Sequence, residues 1–226
     1  MADLYHVLNR GVDKRNIFMD NRDYFRFIHD LFEFNDQEKV RDNCYYFNNR
    51  DIRYHDIRHT ERRARKLLVD VHAFCLMPNH YHLLLSQKIK GGISLFMRKL
   101  NGGYSRYFNK RHERTGTLFE RRYKSISVGS QAHFIHLPYY IHLNPLDLFT
   151  PEWRASELKD YKKSLNFLSS YRWSSHLDYL GKKNFPSITS RDFLLEIFGG
   201  EKGYQKKLSG YLKDLNLAKV RGIILE

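Results

Sequence analysis

Two cysteines in 226 residues cannot staple a fold, and Cys44 and Cys75 lack the paired spacing of a zinc ribbon. Cys75 stands in an apolar stretch and reads as a core thiol. No apolar run is long enough to cross a membrane, and no isolated basic amphipathic helix is present to lie on one, so no membrane partner is expected. The opening Met1-Ala2-Asp3-Leu4-Tyr5-His6 has neither the basic nor the apolar region of a signal peptide. Internal repeats and low-complexity tracts are also missing. A reducing cytoplasm fits these absences. Acid is scarce too: 25 Asp and Glu face 39 Lys and Arg, leaving a formal charge of +14. Such a surplus favours a polyanion, because Lys and Arg displace condensed counterions from phosphates. What the chain does have is 42% hydrophobic and 15% aromatic residues, enough for a real core. Its length suits one domain with additions, or two small ones.

Leu4 to Arg10 reads as a strand stopped by Gly11. Asp20 can cap a helix whose Tyr24, Phe27, Ile28, Leu31 and Phe32 form an i, i+3, i+4, i+7, i+8 stripe. From Asp36 to Lys66 the pattern dissolves into charge, Asn, Tyr and His, an insertion that is either a solvated loop or an extra nucleic-acid contact. Leu67 to Met77 and His80 to Gln87 predict a hairpin turning at Pro78-Asn79. Gly91-Gly92 opens a second helix carrying Ile93, Phe96, Met97, Leu100, Tyr104, Tyr107 and Phe108, interrupted by Gly102-Gly103 for close packing or a kink. Thr117 to Val128 is expected to be a further strand, and Gln131 to Asn144 a third helix. The order β-α-β-β-α-β-α predicts a ferredoxin-like (RRM-like) α+β sandwich with an antiparallel sheet and an extra helix. One domain is expected over 1–145. Residues 146–226 form a C-terminal extension, irregular to about 170, with short helices around Ser190 to Phe198 and Tyr204 to Leu215.

Within Met77-Pro78-Asn79-His80-Tyr81-His82-Leu83-Leu84-Leu85, the two histidines lie one residue apart on a predicted strand. Alternate strand residues share a face, so both imidazoles leave the sheet on one side, in position to grip one metal ion. On the third helix, Tyr140 and Asn144 are four apart and face the same way. His136 continues that stripe one turn earlier, whereas His142 points elsewhere.

Leu76-Met77-Pro78-Asn79-His80-Tyr81-His82-Leu83-Leu84 resembles the HUH motif of single-tyrosine transposases, where U is a bulky apolar residue. The surrounding sequence resembles the REP-associated tyrosine transposase branch of that insertion-sequence transposase superfamily. The resemblance runs through Tyr5-His6-Val7-Leu8-Asn9-Arg10-Gly11, Phe96-Met97-Arg98-Lys99-Leu100-Asn101, Tyr107-Phe108-Asn109, and Gly116-Thr117-Leu118-Phe119 with Arg122-Tyr123-Lys124. It continues through Tyr140-Ile141-His142-Leu143-Asn144-Pro145 and Tyr171-Arg172-Trp173-Ser174-Ser175, covering most of residues 4 to 181 in order.

The resemblance implies a metal-dependent DNA transposase that nicks and rejoins single-stranded DNA near hairpins through a 5′-phosphotyrosine intermediate. It makes His80 and His82 ligands of a divalent ion, Mg²⁺ or Mn²⁺, and Tyr140 the nucleophile. Asn144 takes the place of the amide that serves relatives as third ligand, or else simply ends the helix before Pro145. His142 is the alternative ligand if the helix is rotated, and His6 is expected to be packed or hydrogen-bonded. Arg10, Arg98, Lys99, Arg106, Arg121, Arg122, Tyr123 and Lys124 are the expected DNA contacts, by phosphate pairing and base stacking. A bacterial cytoplasmic protein, nucleoid-associated when active, is implied, working as a monomer or as a homodimer that exchanges tyrosine helices. The rival readings are a domesticated, non-catalytic hairpin-binding protein of the same fold and an RRM-like RNA-binding module. Departures from the family pattern are Tyr81 at the U position and Pro138 two residues before the tyrosine. Leu146-Asp147-Leu148-Phe149 stands in place of a Val-Arg-Ala-Gly-like continuation, and the 36–66 insertion is long.

Overall fold

A computed structural model describes residues 3–39, 64–129, 131–155 and 158–213. Strand β1 (Leu4–Arg10) leads through a short 3-10 turn to helix α1 (Asn21–Glu33). The hairpin β2 (Val69–Met77) and β3 (His80–Gln87) follows, then α2 (Gly92–Arg111), β4 (Lys124–Ser127) and α3 (Gln131–Leu143). The sheet runs β2-β3-β1-β4 with every pairing antiparallel. This is the ferredoxin-like order that the alternation of strands and helices predicts.

Strand alternation divides the core into two layers. Tyr81, Leu83 and Leu85 of β3 join Phe74 and Leu76 of β2 in packing against the apolar stripes of α1 and α2. Leu84 and the opposite residues Ala73, Cys75 and Met77 of β2 pack against α3. Asp20 caps α1 as expected, its carboxylate accepting from the backbone N–H groups of Arg22 and Asp23. Close packing explains one glycine of the pair in α2: a Cβ on Gly103 would stand 2.3 Å from the Phe34 ring, whereas one on Gly102 meets nothing within 4 Å. Tyr81 is tolerated at a buried strand position because its hydroxyl donates to Asn101 Oδ1 on α2.

Three expectations need correction. Only Lys124–Ser127 of the predicted strand from Thr117 to Val128 is a strand. Leu118 and Phe119 are adjacent yet both enter the α1/α2 core, which an alternating strand forbids, and their backbones bond instead to Gly11 and Val12. The stretch read as irregular contains α4 (Tyr161–Ser170), capped by the Asp160 side chain on Lys163 N–H. The last predicted helix begins earlier, as α7 (Gly200–Lys213), after α5 (His176–Tyr179) and α6 (Asp192–Phe198). Residues 40–63 of the proposed insertion, Cys44 among them, lie outside the described residues. The stem leading into them is clamped: Asn35 Oδ1 accepts from the N–H groups of Leu68 and Val69, and its Nδ2 donates to the Val69 carbonyl.

The described part of the C-terminal extension shares the second core with the sheet, through Trp153, Leu168, Tyr179, Phe198, Tyr204 and Leu208. Its Tyr171–Ser175 segment covers the exposed edge of β2. Leu76 N–H donates to the Trp173 carbonyl and Ser175 N–H to the Phe74 carbonyl, at 2.8 and 3.0 Å. An edge strand left bare would be a template for unwanted pairing. Among the described residues, no helix is long and apolar enough to cross a membrane.

Candidate active site

β3 presents His80 and His82 to the α3 side of the sheet, with ring centroids 5.0 Å apart. Both are buried. His80 Nδ1 pairs with Asn79 Oδ1 at 2.6 Å, a bond that fixes the proton on Nδ1 because the amide oxygen only accepts. His80 Nε2 is then a lone-pair nitrogen, buried and with no hydrogen-bond partner among the described residues. Burial, reinforced by the charge of Arg10, pushes His80 down to about 4, so the imidazole is neutral near pH 7 and suited to bind metal. His82 is likewise held well below its ordinary value by burial and then by the two neighbouring histidines. Its Nδ1 lies 3.0 Å from His6 Nε2, and the two rings stack at 5.2 Å. His6 is thus the hydrogen-bonded residue expected of it, oriented so that His82 would use Nε2 toward a metal.

The tyrosine helix completes the face. Tyr140 is fully buried, and its ring lies 6.1 Å from that of His82 and 6.3 Å from that of His6 in the same chain. Pro138 leaves α3 continuous around it. Asn144 performs the helix-terminating role in a specific way. Pro145 has no N–H, so the Ile141 carbonyl loses its usual donor four residues on. Asn144 Nδ2 substitutes at 3.4 Å, and also donates to the Tyr140 carbonyl at 2.9 Å. Anchoring the nitrogen leaves Oδ1 as the only group Asn144 can offer a ligand, and here Oδ1 accepts from Arg154 at 2.9 Å.

Arg154, in the 3-10 turn Pro151–Ala155, is the residue that sequence reasoning missed. Its Nη1 donates to the Tyr140 hydroxyl at 3.0 Å. Asp147 holds the guanidinium from Nε and Nη2 at 2.8 and 2.6 Å, a bidentate fork. The same carboxylate accepts from Trp153 Nε1 at 2.6 Å. Arg154 also lowers the affinity of both His80 and His82 for protons through its charge. No spacing rule points to this pairing, because both residues sit in a segment without periodicity. Asp147 lies where the chain departs from the Val-Arg-Ala-Gly-like continuation.

The remaining site residues separate by layer. Arg10 is paired with His80 across the β1–β3 ladder, and Lys124, opposite Leu8, stands on the same sheet face. Arg121 and Arg122 are exposed on the segment that bonds the end of β1, with Arg121 lining an open cavity of about 500 Å³ alongside Val12, Asp13, Lys14 and Glu120. Arg98 and Arg106 are exposed on α2, across the sheet from the histidines. Lys99, on the same helix, donates to the carbonyls of Asp36 and Glu38. Tyr123 hydroxyl pairs with Ser94 Oγ of α2 at 3.0 Å. His142 is not a ligand: it bonds Tyr204 hydroxyl and Ser175 Oγ, each at 2.7 Å, inside the second core. His136 stacks on Tyr211 at 5.2 Å. No three of His, Cys, Asp and Glu gather as a metal site among the described residues.

A family model described as IS200-like transposase matches residues 38–144. A solved structure of a REP-associated tyrosine transposase bound to a REP hairpin aligns with a TM-score of 0.46 at 10% identity, over 84% of this chain and 86% of that one. No curated protein matches the chain.

Proposed function

We propose that this chain, which matches a family model described as IS200-like transposase over residues 38–144, nicks and rejoins single-stranded DNA near hairpins, with Tyr140 as nucleophile and His80, His82 and Asn144 as the holders of a divalent cation, Mg²⁺ or Mn²⁺. The observation that carries this reading is the buried lone pair of His80 Nε2 on the face where Tyr140 packs beside His82. A buried acceptor without a partner costs about 1–3 kcal/mol, and a metal ligand is a reason to keep one. Two neutral imidazoles and an amide oxygen form a donor set that leaves coordination positions for phosphate oxygens.

A divalent ion in that set would supply Lewis-acid polarisation of the scissile phosphate. The rest of the chemistry belongs to the chain. Tyr140 Oη attacks phosphorus as its proton passes to solvent. The bond from phosphorus to the 3′ oxygen breaks, and that oxygen takes up a proton to become a 3′-OH. The product is a 5′-phosphotyrosine that conserves the phosphodiester bond energy, so a second 3′-OH can reverse the step and join a new strand. Asn79 Oδ1 holds the proton of His80 on Nδ1, and if His82 ligates through Nε2 its Nδ1–H would donate to His6 Nε2. Arg10, Lys124, Arg121 and Arg122 suit phosphate contacts flanking the site, with Arg98 and Arg106 available to a strand or hairpin that wraps to the far layer. The packing of Tyr140 against its own His82 supports a site complete within one chain.

The test is covalent capture. An end-labelled pool of hairpin oligonucleotides with randomised single-stranded flanks is incubated with the protein and Mn²⁺. An adduct that survives denaturation is expected, and it should vanish in Tyr140→Phe and on chelation. Adduct formation that persists in Tyr140→Phe would refute the assignment of the nucleophile.

A further inference from the structure

We propose that Arg154 is a catalytic residue of this reaction, one that contacts the phosphate under attack by Tyr140. The inference rests on the strand-transfer reading above and deepens it. The guanidinium is a planar fork with two usable edges. Asp147 occupies the Nε–Nη2 edge with two short bonds and fixes the plane. The Nη1–Nη2 edge faces the reaction centre: Nη1 is 3.0 Å from the nucleophile oxygen, and Nη2 is 2.9 Å from Asn144 Oδ1. Those two acceptors lie along the guanidinium edge that binds phosphate oxygens in bidentate pairs elsewhere.

Distance makes the contact hard to avoid. A phosphorus ready for attack stands about 3–3.5 Å from the attacking oxygen. Since Nη1 already touches that oxygen, the non-bridging oxygens of such a phosphate come within reach of the same guanidinium. As Tyr140 Oη bonds to phosphorus and the bond to the 3′ oxygen breaks, negative charge spreads over those oxygens, and a fixed cation beside them stabilises the transition state more than the ground state. Arg154 also packs its guanidinium 4.9 Å from the Trp153 ring, which limits its freedom to swing away. Asn144 Oδ1 has two lone pairs, so it can keep its bond from Arg154 Nη2 and still offer the second lone pair to a metal.

A purely structural role predicts something else. An arginine kept only to tie Asp147 to Asn144 would matter for stability and not for the rate with DNA saturating. The experiment uses the full chain with the hairpin pool and Mn²⁺, comparing wild type, Tyr140→Phe, Arg154→Lys, Arg154→Gln and Asp147→Asn. It reads adduct formation at saturating DNA, hairpin affinity by anisotropy, and thermal unfolding of each preparation. Expected is a fall of about 100-fold or more in the saturated rate for Arg154→Gln, the scale of losing one transition-state donor, with affinity changed only a few-fold. Arg154→Lys should recover part of the rate, because it keeps charge without the fork. Asp147→Asn should lie between Lys and wild type, because it loosens the guanidinium without removing it.

A Tyr140-dependent adduct that Arg154→Gln forms at the wild-type rate would overturn the role of Arg154 and leave the nucleophile standing. So would a loss fully accounted for by weaker hairpin binding or a smaller folded fraction. If the wild-type protein forms no adduct with the pool, the strand-transfer reading fails, and the proposal for Arg154 fails with it.

Discussion

Replacing Asn144 separates its two jobs. The side chain is fully buried, and its nitrogen bonds two carbonyls at the end of α3, one of which lacks its i+4 donor because residue 145 is proline. Asn144→Ala strips both bonds and removes an acceptor from Arg154. Leaving the buried Ile141 carbonyl without its substitute donor costs about 1–3 kcal/mol. For a domain of this size each kcal/mol lowers the melting temperature by about 2–4 °C, so a drop of roughly 4–8 °C is the central expectation. Asn144→Asp loses the same donor and brings a carboxylate against two carbonyl oxygens, so its melting temperature should fall at least as far. The two variants part company on metal. Asp retains an oxygen where Oδ1 stood, and Mn²⁺ binding followed by electron paramagnetic resonance should persist in Asn144→Asp while weakening about tenfold or more in Asn144→Ala. Unchanged melting of Asn144→Ala would refute the capping argument. Equal loss of Mn²⁺ in both variants would refute the ligand role of Oδ1.

His6→Phe should preserve packing in the second core while weakening Mn²⁺ binding by roughly 10–100-fold, since the partner of His82 Nδ1 is lost; unchanged Mn²⁺ affinity would remove His6 from the site. Acid should destabilise the protein early. His72, His80, His82, His142 and His176 are all held below their ordinary value by burial, with His80 at about 4 and His176 at about 3. The unfolded chain therefore binds protons first as pH falls through about 6.5, and stability that is complete above that value declines below it. By pH 5 a group such as His80 or His176 should cost up to about 2 kcal/mol, measurable as a falling urea midpoint; a flat midpoint between pH 7 and 5 would contradict the burial of neutral imidazoles. The glycine pair offers a control on packing. Gly103→Ala should destabilise by about 1–3 kcal/mol through its clash with Phe34, while Gly102→Ala, in open space on the same helix, should stabilise by about 0.5–1 kcal/mol.

Local patterns carried much of the architecture. The Tyr24-to-Phe32 stripe, the Asp20 cap and the alternation of His80-Tyr81-His82 each act over a few residues, where backbone geometry alone dictates which side chains share a face. Those patterns were enough to predict the strand and helix order, the shared face of the two histidines and the joint orientation of Tyr140 and Asn144. The predicted strand at Thr117 failed because Leu118 and Phe119 answer to one core, a demand that no window of neighbouring residues can express. Helix α4 was legible and was passed over: Asp160 caps it, and Tyr161, Leu165 and Leu168 recur at helical spacing to pack in the second core.

The sequence by itself determined that two imidazoles emerge together from a strand and that a tyrosine and an amide share a helix face, because both follow from fixed periods of two and of about 3.6 residues. Tertiary structure alone decided that this tyrosine lies beside the histidines of its own chain, 6.1 Å from His82 by ring centroid. It decided also that Arg154, steered by Asp147, reaches both the Tyr140 hydroxyl and Asn144. Contacts of that kind join residues from elements whose relative placement is set by how two cores pack against one sheet. No repeat in the chain records that packing.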